Sequence, residues 1–130
     1  MRPIASELFG HPVIIQGGMG VGVSDWRLAR AVASRGHLGV VSGTALASVL
    51  VRRLQDGDKD GDIRHALAQC PLRDAARAIE ARYFLADGRA AGQPYRATPL
   101  YSVSSPSDLI TLTIVASFVE VWLAKEGHAG

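Results

Sequence analysis

Two short apolar runs flank one amphipathic stretch in the first third of the chain, and no other feature constrains the fold as much. Pro12 opens the first run, Val13 to Ile15, which ends in Gly17, Gly18, Gly20 and Gly22. Short, β-branched and bounded by Pro and Gly, it reads as a buried strand. Ser24 is placed to cap a helix, with Asp25 in its first turn, where negative charge suits the helix dipole. Leu28, Ala31, Val32 and Arg35 share one face, and Gly36 stands where a C-terminal glycine belongs. A second run, Leu38 to Val41, ends at Ser42 and Gly43. Strand, helix, strand with tight connections predicts a βαβ unit and an α/β fold.

Beyond Gly43 the spacing predicts helices only. Thr44 is the expected cap of a helix reaching about Gln55, and an acidic turn, DGDKDGD, follows. Shorter helices are expected from Ile63 to Gln69 and from Pro71 to about Phe84. Residues 86–105 are rich in Gly, Pro, Ala and Ser and read as a surface loop. Ser105 or Ser107 then starts a long apolar helix ending near Gly127. Its core, Leu109 to Ala124, is shorter than the roughly 20 apolar residues of a membrane span. Thr111, Thr113, Ser117 and Glu120 interrupt it. It is expected to be a buried helix of a soluble protein.

A net charge of +2 over 130 residues, with Lys and Arg dispersed, gives no nucleic-acid signal. Cys70 is the single cysteine, which excludes an internal disulfide and gives no zinc pair. The opening MRPIASELFGHP has no apolar leader core. A cytoplasmic setting, with a small-molecule substrate and no membrane, is expected.

The glycine turn carries the chemistry. Glycines at the end of a strand let a backbone approach a ligand closely. A dinucleotide fingerprint fails, because Val23 stands where its third glycine should be and no carboxylate ends the second run. A phosphate loop fails for want of a Gly-Lys-Ser/Thr sequence. A turn kept for packing alone is the competing reading. The acidic stretch matches the first half of a calcium loop through Asp56, Asp58, Asp60 and Gly61. Its ninth and twelfth positions are Arg64 and Leu67, so a solvated turn is expected. Lys125, Glu126 and His128 are expected to terminate a helix rather than to do acid–base work. His11, His37 and His65 have no ligand-spaced partners, and no metal site is expected.

The segment VIIQGGMGVGVSDWRLARAVASRGHLGVVSGTAL resembles the amino-terminal part of the nitronate monooxygenase (2-nitropropane dioxygenase-like) flavoproteins. SFVEVWLAKEGH looks like an actinobacterial branch of that group, with Ser117 where relatives often carry Asn. The same opening occurs in FMN-dependent enoyl reductases. The resemblance implies the opening portion of a TIM-type (β/α)8 barrel, about two strands plus several helices. A full barrel needs about 250 residues. Residues 1–130 are therefore expected to be one incomplete domain, with 44–105 a variable helical insertion. It further implies FMN, with Gln16, Gly18, Met19 and Gly20 lining the flavin and Ser42 and Gly43 facing the same mouth. The implied activity of the parent is oxidation of alkyl nitronates with O2, with enoyl reduction the alternative. The catalytic histidine and a third-strand asparagine are expected beyond Gly130. A third reading is a non-catalytic fragment that self-associates through exposed strand edges.

Overall fold

The computed structural model describes residues 12–130. His11 and the segment expected to lack a leader lie outside them. The regular elements are α1 (Trp26–Ala33), α2 (Leu46–Gln55), α3 (Asp62–Leu67), α4 (Arg73–Tyr83) and α5 (Ser107–Lys125). The chain divides into two compact units: the described residues through Thr44 with Glu120–Gly130, and Ala45–Val119.

In the first unit, Asp25 rather than Ser24 caps α1. Its Oδ1 accepts from the Arg27 and Leu28 amides at 3.0 and 3.2 Å. The Trp26 amide donates instead to Oε2 of Glu120, a buried carboxylate, at 2.9 Å. Helix N-termini leave such donors without intrahelical partners, and negative side chains there also complement the dipole. Gly36 adopts φ +79, the left-handed turn expected of it. Gly39 lies so close to α1 that a Cβ there would run into the Ala29 carbonyl, so only glycine fits.

The expected α/β class, a two-strand barrel opening, is overturned. Among the described residues there is no β-strand and no sheet, only one parallel bridge between Ile15 and Leu38. Leu38 N–H donates to Ile14 C=O and Gln16 N–H to Leu38 C=O, each at 3.0 Å. The next step of a ladder is taken by a side chain. Gln16 Nε2 donates to Val40 C=O at 3.0 Å, and Val40 N–H donates to Gln16 Oε1 at 3.2 Å. With Val40 N–H and C=O both bonded to the Gln16 side chain, the ladder stays at one bridge. Val13, Ile14 and Ile15, expected to be buried, are 56, 53 and 62 % exposed. Parallel pairs depend on covered faces, which these residues lack here.

The second unit is helical, as its periodicity predicts. α2 has no side-chain cap; Ala45 takes the N-cap position at φ +53, where Thr44 was expected to serve. It buries Leu46, Ala47, Leu50, Val51 and Leu54, and α2, α3 and α4 pack on one another. Leu109, Leu112, Val115, Ala116 and Val119 of α5 are buried. By length and composition α5 is the one helix among the described residues that could cross a membrane. Ile110, Ile114 and Val121 on it stay about half exposed. Residues 86–105 form neither helix nor strand.

Candidate functional site

The glycine turn leaves the single bridge and is held from beneath by Ser24. This hydroxyl, on a residue 1 % exposed, accepts from Met19 N–H at 3.0 Å and donates to Gly17 C=O at 3.4 Å. The Ser24 carbonyl in turn accepts from Ser42 N–H at 2.9 Å. A second closure, Val23 N–H to Gly20 C=O at 3.1 Å, and Gly22 at φ +69 complete the turn. Ser24 had been assigned to the helix cap; the neighbouring Asp25 does that, which frees the serine for the turn.

Four of the residues expected at the site are thereby brought together. Gln16 is fixed on Val40, and a Cβ on Gly18 would sit in ordinary contact with Val40 Cγ1, 3.5 Å away. Met19 and Ser42 meet through Ser24. Gly20 closes the turn on Val23, whereas Gly43 is exposed with nothing near its Cβ position. Ser42 is buried, so its peptide serves the packing of the turn more directly than any ligand.

The outer side of the turn is open. Nothing approaches the Cβ positions of Gly17 and Gly20, and Met19 is 51 % exposed. Gly18 N–H and C=O and Gly20 N–H make no hydrogen bond among the described residues. The surface is therefore a short run of free peptide donors and acceptors beside a thioether. It suits a planar heterocycle with matching edges, since sulfur also contacts aromatic rings favourably. It supplies no acid, base or nucleophile. The nearest carboxylate on the chain, Asp25, is spent on the cap of α1 and lies 3.6 Å from Arg27.

The other sequence candidates take structural parts. His128 Nε2 bonds Ala124 C=O at 2.6 Å while its Nδ1 accepts from Gly130 N–H, and Lys125 Nζ donates to Gly130 C=O. These contacts finish α5. In the acidic stretch Asp58 is buried, not solvated as expected. Its Oδ1 accepts from Ile63 N–H at 3.1 Å, and its Oδ2 from Arg64 N–H and Nε at 3.0 Å each. From three residues before the N-cap Gly61, that carboxylate satisfies the first-turn amides of α3. His37 is half-buried, with Nδ1 lacking a partner, and His65 is exposed. Glu120, which sequence spacing did not single out, proves to be the buried partner of α1; nothing local marks a contact between residues 94 apart.

Comparison with family models, curated proteins and solved structures finds no match for this chain.

Proposed function

We propose that the turn Gly17–Gly20 faces the ring of FMN in a flavin-dependent oxidoreductase that oxidises alkyl nitronates with O2. The observation that carries this reading is the turn's construction. Ser24 bonds the turn and Gln16 the strand-like stretch beside it, while Met19 is half exposed and Gly18 N–H, Gly18 C=O and Gly20 N–H make no hydrogen bond among the described residues. The motif resemblance supplies the cofactor and the reaction class. The chemistry of the donor set fits the pyrimidine edge of an isoalloxazine, which carries alternating donors and acceptors.

Bound FMN would supply two-electron redox chemistry between the nitronate and oxygen. Gly18 and Gly20 would hold the ring through peptide hydrogen bonds, and Met19 would lie against it. Gln16 and Ser24 would act behind them by fixing the turn. One wall of a pocket binds loosely. Residues 12–130 are expected to hold FMN with a dissociation constant on the order of 1 mM, about 4 kcal/mol.

The test is a titration of the ¹⁵N-labelled protein with FMN, read at the Gly17, Gly18, Met19 and Gly20 amides. Saturable shifts confined to those amides, and weakened by Gly18→Val, are expected. Amides that stay unmoved at several millimolar FMN would overturn the cofactor assignment. Oxygen uptake with propyl nitronate, set against NADPH-dependent reduction of an enoyl thioester, then separates the two reaction classes in the flavin-loaded protein.

A further inference from the structure

A cleft of about 280 Å³ in the second unit has no part in the flavin reading. It lies between one face of α2, presenting Ser48, Val51 and Arg52, and the segment Tyr95–Thr98 with Leu100. Its lining holds two arginines, two hydroxyl residues and a tyrosine, and no carboxylate. A second cleft, between α4 and the start of α5, has both Arg82 and Asp108 in its lining and so no net charge preference.

The basic cleft is held in place by its surroundings. Gln55, buried beneath it, accepts from Arg96 N–H at 2.6 Å and donates to Arg96 C=O at 3.4 Å. Tyr95 OH donates to Asp56 Oδ2 at 2.8 Å. Two guanidinium groups lie near the Tyr95 ring, Arg89 at 4.0 Å and Arg52 at 5.0 Å from its centroid. Asp56 is taken up by Tyr95 and by Arg89, whose Nε is 3.8 Å away.

Arg52 is different. Its guanidinium makes no hydrogen bond or ion pair among the described residues and lies 5.0 Å from the Tyr95 ring centroid. Its five N–H donors remain free on an exposed side chain beside an aromatic ring. Neither Ser48 nor Thr98 has a side-chain hydrogen bond among the described residues. Arg96 spends one donor on the Arg82 carbonyl and keeps the rest.

We propose that this cleft binds a small organic phosphate monoester. Arg52 and Arg96 would take the phosphate oxygens, with Ser48 and Thr98 as further donors. Val51 and Leu100 would contact the organic group. Several charge-assisted donors lining one cleft suit a phosphate, which offers three terminal oxygens, better than a planar carboxylate. The volume sits at the low end of ligand pockets, which limits the organic part to a few atoms or one ring.

The experiment is an NMR titration with phenyl phosphate, inorganic phosphate and benzoate, followed at the Ser48, Arg52 and Tyr95–Thr98 amides. These probes lie apart in sequence from the Gly17–Gly20 amides, so the two readings fail separately. Phenyl phosphate is expected to give saturable shifts, with at least tenfold weaker binding in Arg52→Gln. Arg52→Lys should fall between, because it keeps the charge and loses the fork. Circular dichroism checks that the variants stay helical, and Arg96→Gln serves as a second variant if Arg52→Gln does not fold. Shifts that fail to saturate, or that survive both glutamine substitutions, would overturn the proposal. So would benzoate binding as tightly as phenyl phosphate.

Discussion

Gln16 and Gln55 each hold a distant residue by both its backbone N–H and its C=O, Val40 for the first and Arg96 for the second. A primary amide offers the same donor and acceptor as a peptide, so it can replace one step of a ladder without extending a strand. In each case an irregular segment is pinned where a sheet would otherwise be needed. Ser24 uses its single hydroxyl more locally, closing the ring Gly17–Ser24–Met19 from inside. Ser24→Ala is therefore expected to cost about 1 kcal/mol, the worth of a net hydrogen bond, and to raise opening at Met19 roughly fivefold. Helix α1 should persist, because Asp25 caps it independently. Amide hydrogen exchange at Met19, beside that of Leu28 and Ala29 as controls, measures both effects. An unchanged Met19 rate would show that the turn is held by something other than this hydroxyl.

At the scale of elements, the helices were legible and the strands were not. Helix signals are local: a 3.6-residue apolar period such as Leu46, Leu50 and Leu54, a left-handed glycine such as Gly36, and a capping side chain, which the sequence placed one residue early at Ser24 where Asp25 serves. Val13–Ile15 and Leu38–Val41 have strand composition, but pairing depends on partners that composition does not specify. Of the site, Gln16, Gly18, Met19 and Ser42 were legible as one neighbourhood through the glycine pattern and the resemblance. The supports were not, because Ser24 stands next to a better cap and Glu120 meets Trp26 across 94 residues. The acidic turn shows the same limit in reverse: its pattern suggested solvation, and one member, Asp58, is buried and satisfies the first-turn amides of α3. Asp58→Ala should destabilise the protein by about 2 kcal/mol, since the bonds to those amides and a charge-assisted bond to Arg64 are lost together. Asp58→Asn should cost less. It keeps an acceptor and tolerates the positive φ of +41 found there. Urea denaturation followed at 222 nm gives the comparison; equal midpoints for the wild type and Asp58→Ala would exclude this role for the carboxylate. A six-residue helix such as α3 has no independent stability, so the loss should register in the whole second unit.

Across the whole molecule, buried apolar surface is unevenly divided. Among the described residues of the first unit the core is Trp26, Ala29, Leu123 and Ala124. The second unit buries Leu46, Leu50, Val51, Leu54, Ile63, Leu67, Leu109, Leu112, Val115 and Val119. Each large aliphatic side chain taken out of water is worth about 1.5–3 kcal/mol. Two of them already correspond to roughly a hundredfold in an opening equilibrium. The first unit also exposes Val13, Ile14, Ile15, Met19, Val21, Val23 and Leu38, so its apolar surface adds little to its own stability and leaves the backbone beside the bridge open to association. Native-state hydrogen exchange should follow that division. Amides in the middle of α2, α4 and the Leu109–Val119 part of α5 are expected to exchange at least about 100-fold more slowly than Gln16, Met19 and Leu38. The α2 and α4 sets should converge on one opening free energy, because α2, α3 and α4 pack as a group. Equal protection of Gln16 and Leu54 would refute this division and would mean that the bridge and turn are stabilised by contacts beyond the hydrogen bonds and burial described above. Exchange repeated at tenfold higher protein concentration separates the remaining case, in which protection at Gln16 and Leu38 rises with concentration because copies of the chain pair through that edge.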